Sequence, residues 1–298
     1  MSIVSLFCQI DDFFLDYEKQ KLSEGCDSDK PERRGCPRCL HSSEVMTILV
    51  NFHHSGYRSF KHYYQKHVCR HLRWAFPRLV SYNRFVELTS GTLGLVSAYL
   101  RVRLGKCTGI SFIDSTPIAV CQNRRIQKHR VFAEEAGRGK NSLGWFYGFK
   151  LHLIVNTDGE LLSVEITPAN TDDRSPVEKL TKGLSGRLYA DKGYISEALS
   201  ETLKAQGIIL VSKVRKNMRS EARCDVDVLL LKKRMLIESV IEQLKHQSQL
   251  EHTRHRSFVN FRVNVFCALI AYTYQSKKPS VDLRELDEII DSQIHNNF

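Results

Sequence analysis

The chain has 298 residues, which gives room for two domains that each bury a core of their own. Its 44 Lys and Arg residues exceed its 33 Asp and Glu residues, and the formal net charge of +11 favours a polyanionic partner, nucleic acid first, over an acidic protein surface. No apolar run approaches the ~18 residues of a membrane span, so no contact with a membrane is expected.

The amino end and the cysteines indicate the compartment. The first residues, MSIVSLFCQIDDFF, have no basic leader before the apolar stretch and soon reach two aspartates, unlike a secretory signal. The nine cysteines are an odd number, which is typical of reduced thiols rather than of a disulfide framework. Only Cys36 and Cys39 have a paired spacing, and a lone CxxC is weak evidence for zinc, so no zinc site is expected there. We expect a cytoplasmic protein that is associated with the nucleoid.

The first part of the chain is predicted to be all-helical. Residues 19–41 are polar and rich in turn formers, so a loop is expected after a short amino-terminal helix. SEVMTILVNFHHSG, from Ser43, has an early acid and apolar residues at helical spacing, and it ends near Gly56. Further helices are predicted over 57–76 and 82–104. The sequence therefore predicts a helical domain over residues 1–105.

The pattern changes from helices to strands near residue 109. Three strands are predicted, SFIDSTPIAV, FYGFKLHLIVN and ELLSVEITPAN, and an Asp158-Gly159 turn joins the last two. Helices and strands then alternate: helix 171–184, strand 186–190, helix 195–207, strand 208–214 and a long helix 228–246. This order is typical of an α/β domain with a mixed sheet, which we predict over 106–276. An acidic tail over 277–298 follows it.

Two acids stand where strands of this domain end. Asp114 follows two apolar residues of the first strand, and Asp191 follows the strand GRLYA. A carboxylate in such a place is costly unless a cation lies beside it, and Mg²⁺ meets that need with oxygen ligands. A divalent metal site is therefore predicted here. Asp172 and Asp173 lie at the start of a predicted helix, where capping and the dipole favour acids, and they are left out of the site.

The long helix offers two candidates for a third acid, Glu238 and Glu242. At ~3.6 residues per turn, charged residues fall close to one face of it: Arg234, Glu238, Glu242 and Lys245. The opposite face is apolar and is expected to pack on the sheet: Leu236, Val240 and Leu244. The alternative for this helix, taken alone, is a surface helix with ion pairs between successive turns.

The segments FIDSTP, YADKGY and RMLIESVIEQLK, in this order, resemble the catalytic core of DDE-type insertion-sequence transposases. The closest resemblance is to the insertion-sequence 982 family, and SSEVMTIL and SYNRF extend it into the helical part. The resemblance implies a ribonuclease-H-like fold for the α/β domain. It also implies that Asp114, Asp191 and Glu238 are the first, second and third catalytic acids.

Such transposases carry out phosphoryl transfer with two divalent metal ions, here Mg²⁺ or Mn²⁺. The resemblance implies that Asp114 bridges both ions, while Asp191 and Glu238 each hold one. The substrates would be double-stranded DNA, namely the terminal inverted repeats of the element and the target DNA. The freed 3′-OH would be transferred to the target. A complex of two ends implies a homo-oligomer, and the helical domain would bind the ends.

Two other functions fit many of the same features. A ribonuclease-H-like nuclease or resolvase would cut DNA without strand transfer, and a decayed element would bind DNA without catalysis. Intact acids at all three expected positions argue against an inactive protein. The helical domain in front favours transposition, because the recognition and pairing of two ends need a separate module.

Cations outside the acid triad are candidates for phosphate contacts. Arg234 and Lys245 match an arginine and a lysine of a wider transposase group, although Leu231 replaces that group's tyrosine. Others lie in two further segments. The long link after the first strand contains Arg124, Arg125, Lys128 and Arg130, and the turn before the last helix contains Arg254 and Arg256. Lys150 and His152 share one face of their strand and are expected to point toward the site. A disordered link and plain solvated faces are the alternatives.

Overall fold

A computed structural model describes residues 1–23, 40–141, 144–212, 224–248, 250, 254–282 and 284. The chain divides into two compact units. Unit 1 combines Met1–Arg103 with Leu244–Gln275, and unit 2 combines Leu104–Gln243 with Ser276–Phe298. Among the described residues, no helix is long and apolar enough to cross a membrane. Most of the predicted acidic tail and of the loop after the first helix lies outside the described residues.

Unit 1 is built from helices. Their bounds are α1 (Ile3–Ser23), α2 (Ser42–His54), α3 (Phe60–His62), a π-helix (Tyr63–Val68), α4 (Cys69–His71), α5 (Tyr82–Ser90), α6 (Leu93–Val102) and α11 (Phe258–Thr273). The carboxylate of Glu44 accepts a hydrogen bond of 2.7 Å from the amide of His41, so the N-cap of α2 is His41 rather than the predicted Ser43. The hydroxyl of Ser81 caps α5 by accepting from the amide of Arg84.

The last helix, α11, belongs to unit 1, whereas the sequence assigned it to the second domain through residue 276. It packs against α2, α5 and α6. The physical reason is its composition, because FVNFRVNVFCALIAYT is apolar on nearly every side and is almost entirely buried. A helix of this kind needs neighbours all round, and the amino-terminal helices supply them. The predicted boundary at residue 276 is therefore corrected.

Unit 2 is centred on a mixed sheet. Its strands are β1 (Ile110–Ala119), β2 (Gly137–Asn141), β3 (Gly144–Asn156), β4 (Leu161–Pro168), β5 (Gly186–Ala190) and β6 (Ile208–Ser212). The strand order is β2-β3-β1-β5-β6, and β4 also pairs with β3. The β1–β3 and β3–β4 pairs are antiparallel, whereas β1–β5 and β5–β6 are parallel. An antiparallel meander followed by crossovers to parallel strands is the ribonuclease-H-like arrangement expected from the sequence.

Helices of unit 2 flank this sheet. Their bounds are α7 (Val177–Leu180), α8 (Glu197–Ala205), α9 (Asp225–Lys233) and α10 (Met235–His246). One core joins Ile113, Ile154 and Leu188 from three strands with Leu180 and Leu203 from α7 and α8. The predicted strands and the helix at 195–207 are confirmed in position.

In unit 1, the helix predicted over 57–76 is divided into α3, the π-helix and α4, and the helix predicted over 82–104 is divided into α5 and α6. Three local predictions of unit 2 also differ from the structure. The helix predicted over 171–184 is reduced to the single turn α7, since the preceding residues form turns. The long link after β1 contains β2 and a short 3-10 helix, Asn123–Lys128, rather than a plain loop. The long helix predicted over 228–246 begins at Asp225 and breaks at Arg234 into α9 and α10. Residues 213–223 lie outside the described residues.

Two contacts fix β5 and α9 relative to β1. Gly186, at the start of β5, has a φ of +93°, and a Cβ there would lie 2.2 Å from the carbonyl oxygen of Gly109. Only glycine permits this close approach beside β1. On β5, Arg187 forms an ion pair with Asp227 of α9, and the hydroxyl of Tyr189 donates to the same carboxylate at 2.7 Å. Because α9 is tied to β5, the position of Arg234 at the end of α9 is also fixed relative to the sheet.

The core of unit 1 contains a neutral histidine. His53 is buried, and its Nδ1 donates to the carbonyl of Ser248 at 2.8 Å. Its pKa is lowered to about 4, mainly by burial and to a smaller extent by the neighbouring His54 and His255, while the hydrogen bond to Ser248 acts in the opposite direction. The unfolded chain, with an ordinary pKa of 6.5, binds a proton that the folded state does not. The contribution of neutral His53 to the free energy of unfolding is therefore fully present above pH 6.5. It is lost as the pH falls from 6.5 toward 4.

We predict that His53→Gln weakens the acid sensitivity of unit 1. Between pH 7 and pH 4 the wild-type free energy of unfolding should fall by on the order of 3 kcal/mol from this residue, and the variant should lose that part of the slope. The measurement is urea unfolding over this pH range. His62→Gln, at an exposed position, is the matched control and should keep the wild-type slope. Equal slopes for His53→Gln and the wild type would contradict the assignment.

Candidate active site

Asp114 is a largely buried carboxylate in the first strand of the sheet. It follows Phe112 and Ile113, which are fully buried, and its own side chain is 23% exposed. Its Oδ1 accepts a hydrogen bond of 2.8 Å from the amide of Ser115. Burial raises the pKa of Asp114 above its ordinary value, while the Ser115 amide and the nearby Arg234 act in the opposite direction. The strand thus holds an acid that requires a cation.

Arg234 supplies that cation and joins two of the predicted acids. Its Nη1 donates to Oδ2 of Asp114 at 3.1 Å, and its Nη2 donates to Oε1 of Glu238 at 2.7 Å. The break between α9 and α10 places Arg234 one turn before Glu238 and against β1. The Arg234 side chain is 16% exposed, so water weakens this contact little. The structure therefore brings together Asp114, Arg234 and Glu238.

Asp191 lies at the same edge of the sheet. β1 and β5 are parallel neighbours with Phe112 opposite Tyr189, so Asp114 and Asp191 each lie two residues beyond a paired position. Asp191 is exposed, and its carbonyl accepts from the amide of Tyr194 at 3.1 Å in the short 3-10 helix Lys192–Tyr194. Asp191 follows the end of β5 as predicted, whereas Asp114 lies inside β1, which runs on to Ala119, so its predicted place at a strand end is wrong. The parallel register nevertheless puts both acids at the same level of the sheet.

A divalent ion needs several oxygen ligands close together. Within the described part of the chain, no group of three or more His, Cys, Asp or Glu side chains is close enough to hold a metal ion. Asp114 and Glu238 do converge on a single cation, the Arg234 guanidinium, and carboxylate oxygens are the ligands that Mg²⁺ and Mn²⁺ prefer. Asp114, Glu238 and the exposed Asp191 thus offer the ligand type that fits a divalent ion.

The apolar face predicted for the long helix is confirmed as buried. Leu236, Val240 and Leu244 are each at most 7% exposed. Glu242 lies one turn beyond Glu238 and is exposed. Leu231, at the position of the missing tyrosine, is buried at 5% exposure. Of the two glutamates, the structure joins Glu238 to Asp114 through Arg234.

A polar cluster that the sequence reasoning missed lies next to Asp114. Asp173, which we had explained as a helix-start acid, accepts from Nζ of Lys150 at 3.0 Å and from the hydroxyl of Ser115 at 3.0 Å. Its carboxylate also lies 3.9 Å from Nδ1 of His152. Burial and the negative charges of Asp114 and Asp173 raise the pKa of Tyr194. The predicted shared face of Lys150 and His152 was a signal for this cluster, because two basic groups on one face call for an acid.

The DNA-contact prediction for Lys150 and His152 needs correction. His152 is fully buried, its Nε2 pairs with the hydroxyl of Thr167 at 2.8 Å, and burial lowers its pKa to about 4. Lys150 is 16% exposed and donates to the carbonyl of Thr171 at 2.8 Å as well as to Asp173. In this structure the His152 side chain is inaccessible to a DNA phosphate. The Lys150 ammonium group is already bound to Asp173 and to the carbonyl of Thr171. The antiparallel register, with Ser115 opposite His152, turns this face of β3 inward.

The other predicted DNA contacts lie on exposed surfaces. Six of them are exposed: Arg124, Arg125, Lys128, Arg130, Arg254 and Arg256. The first three belong to the 3-10 helix Asn123–Lys128 of unit 2, whereas Arg254 and Arg256 precede α11 in unit 1. Lys245 lies in the last turn of α10 and lines a cavity of unit 1. These positions allow phosphate contacts, and their role stays a prediction.

We predict that Arg234→Gln destabilises unit 2 by about 2–4 kcal/mol, because it leaves the buried Asp114 carboxylate without its counter-charge. Adding Asp114→Asn to this variant should restore most of the loss, since the second change removes the uncompensated charge. Urea unfolding of the single and double variants measures both effects.

The matched control is Arg174→Gln, which breaks the exposed Asp172–Arg174 pair. It should change the free energy of unfolding by less than about 1 kcal/mol. If Arg234→Gln costs no more than this control, the buried ion pair does not stabilise the site.

Comparisons with known proteins identify the family. Residues 104–258 match a family model described as Transposase DDE domain. Among solved structures, the piggyBac transposase synaptic complex with hairpin DNA is 11% identical over 89% of this chain and 74% of that chain, with a TM-score of 0.46. The Mos1 transposase paired-end complex with the left transposon end is 15% identical over 83% and 82%, with a TM-score of 0.24. No curated protein matches the sequence.

The structural likenesses are too distant to support further inference, and the assignment rests on the sequence match. The matched range covers more than half of the chain and contains Asp114, Asp191 and Glu238. It begins just before β1 and reaches the first residue of α11, so it includes every strand of the sheet. This chain therefore belongs to the DDE transposase family.

Proposed function

We propose that this transposase cuts double-stranded DNA at the terminal inverted repeats of an insertion sequence and joins the freed 3′ ends to target DNA. The observation that carries the proposal is the junction at Arg234, where Asp114 and Glu238 share one cation. Carboxylates from distant parts of the chain converge there beside the middle of β1, as metal-dependent phosphoryl transfer requires. Asp191, which follows the neighbouring strand β5, supports the same reading.

Asp114, Asp191 and Glu238 would hold two Mg²⁺ or Mn²⁺ ions. Bound there, the ions would supply an activated nucleophile and would stabilise charge on the attacking and leaving oxygens. Asp191 is exposed and the Glu238 side chain is 50% exposed, so both carboxylates are accessible from the DNA side. Bound metal ions would compensate the negative charge of Asp114 and Glu238 in place of Arg234. The Arg234 guanidinium would then be available to donate hydrogen bonds to a DNA phosphate.

The reaction would proceed in two transfers at one site. In the first, a water oxygen attacks the phosphorus at the element's end, the P–O3′ bond breaks, and the released 3′ oxygen takes up a proton. In the second, this 3′-OH loses its proton, attacks a phosphorus of the target DNA and displaces a target 3′ oxygen. No bond to the protein forms. The DNA must stay bound between the two transfers, which favours extensive contacts to its backbone.

The assembly follows from the same proposal. We assign the chain to the insertion-sequence 982 family on the segments FIDSTP, YADKGY and RMLIESVIEQLK. Unit 1 would bind the element's ends, and a complex that holds two ends would be a homo-oligomer formed on DNA. The net charge of +11 supports a place on the nucleoid in the cytoplasm.

We predict that Asp114→Asn and Asp191→Asn each abolish DNA cleavage and leave end binding unchanged. The asparagine amide keeps the shape of the side chain but removes the negative charge that a metal ligand provides. The test uses labelled DNA that carries the inverted repeats flanking the gene, with Mg²⁺, and separates joined products, nicks and shifted complexes on gels.

Joined products from the wild type support transposition. Nicks without joined products would show that the protein is a nuclease or resolvase rather than a transposase. A mobility shift alone would show that it only binds DNA. Cleavage retained in either variant removes that acid from the triad. Lys179→Gln, on the exposed Lys179–Glu165 pair, is the control and should cleave as the wild type does.

We predict that Glu238→Gln abolishes cleavage and that Glu242→Gln does not. The two glutamates are one helical turn apart, and only Glu238 shares a cation with Asp114 in the described residues. The same gel assay compares the two variants side by side. Loss of cleavage in Glu242→Gln with normal activity in Glu238→Gln would move the third acid to Glu242.

A further inference from the structure

Unit 1 contains a cavity of about 530 Å³, which is within the range of small-ligand sites. It lies among α2, α3, α5 and the segment that enters α11, and it includes residues of the SYNRF segment. Its wall combines apolar, cationic and amide side chains. None of these residues belongs to the acid triad in unit 2.

The floor of this cavity is apolar and aromatic. Phe52 and Phe60 meet edge to face, with ring centroids 5.3 Å apart, and the Tyr82 ring lies 6.4 Å from Phe60. Leu49 and Val86 complete the apolar wall. A flat ring inserted here would contact aromatic faces and edges, which favours an aromatic ligand over an aliphatic one.

The rim of the cavity is cationic. Arg58, Lys61, Arg254 and Arg256 are all exposed. In the described part of the chain, none of the four forms an ion pair with a carboxylate. Four uncompensated cations around one opening favour an anion, and guanidinium groups in particular bind phosphate through paired hydrogen bonds.

Amide side chains add hydrogen-bonding capacity to the wall. Asn260 is 8% exposed, and its Nδ2 donates to the carbonyl of Val86 at 3.3 Å. Its Oδ1 is buried and has no hydrogen-bond partner among the described residues. A buried carbonyl oxygen without a donor is costly, and a ligand that carries an N–H group would satisfy it. Asn83 also lines the cavity and is exposed.

We propose that this cavity, the unit 1 pocket, binds one unpaired nucleotide of a DNA strand. The base lies on the aromatic floor, and its flanking phosphates lie at the four cations. The faces of bases in a duplex are covered by their neighbours, so a duplex offers phosphates to the rim but no ring to the floor. An apolar floor under a phosphate-binding rim therefore selects a single strand. The inference rests on DNA as the partner and deepens that proposal.

The test measures binding of the full chain to a short single strand and to the same sequence as a blunt duplex. Fluorescence anisotropy is recorded with EDTA, so that no cleavage occurs. Val86→Phe fills the pocket without changing its charge. It should weaken single-strand binding about 5- to 150-fold, the range that base stacking on an aromatic wall provides, and leave duplex binding within about twofold. Arg254→Gln with Arg256→Gln should weaken both, and Arg101→Gln, exposed on α6, should weaken neither.

A second measurement does not depend on the folding of a variant. A single strand that carries 5-iododeoxyuridine is irradiated on the wild-type chain, and the crosslinked peptides are mapped by mass spectrometry. Crosslinks at Phe52, Phe60 or Tyr82 support the pocket, whereas crosslinks confined to unit 2 overturn it. Equal loss of single-strand and duplex binding in Val86→Phe, or no loss, also overturns it. Cleavage by the wild type in Mg²⁺ tests the proposed function separately, because it depends on Asp114 and not on this pocket.

Discussion

The active-site geometry depends on the burial of one carboxylate. Asp114 lies in a strand whose preceding side chains are fully buried, and the resulting loss of hydration raises its pKa. A charged acid in such a place is stable only with a cation beside it. In this structure the cation is Arg234, which also binds Glu238. The ion pair that neutralises Asp114 therefore holds Arg234, just before α10, against the middle of β1.

The sheet topology decides which residues meet this carboxylate. Because β1 lies between β3 and β5, it has an antiparallel neighbour on one side and a parallel one on the other. The parallel side places Asp191 at the same edge as Asp114. The antiparallel side places His152 opposite Ser115, whose hydroxyl donates to Asp173. The ion pair between Arg187 and Asp227 ties α9 to β5 and so fixes the position of Arg234, which lies between α9 and α10.

Much of this arrangement could be predicted because its signals are local. Runs of apolar residues located the strands, and the acids inside β1 and after β5 were visible in FIDSTP and YADKGY. The ion pair of Arg234 with Glu238 follows from their spacing of four residues. Its extension to Asp114 joins residues 120 positions apart and could be inferred only through the family resemblance. The catalytic roles of the acids stay a prediction.

The errors came from contacts between distant segments. The sequence of α11 shows that it must be buried, but not that α2, α5 and α6 surround it. Asp173 looked like a helix-start acid because its neighbours in sequence suggested a helix, whereas its partners Ser115 and Lys150 lie 58 and 23 positions away. His152 was expected to contact DNA because it shares one face of its strand with Lys150, which the family resemblance turns toward the site. Its burial depends on a pairing register that no short segment specifies.

The central claim is that three acids from β1, the end of β5 and α10 hold a pair of divalent ions. The most direct measurement is a crystal structure of the full chain with a DNA end and Mn²⁺, recorded at a wavelength where manganese scatters anomalously. The account predicts two anomalous peaks ~3.5–4 Å apart, with Asp114 touching both and Asp191 and Glu238 touching one each. Mn²⁺ bound elsewhere, or bound without Asp114, would contradict it.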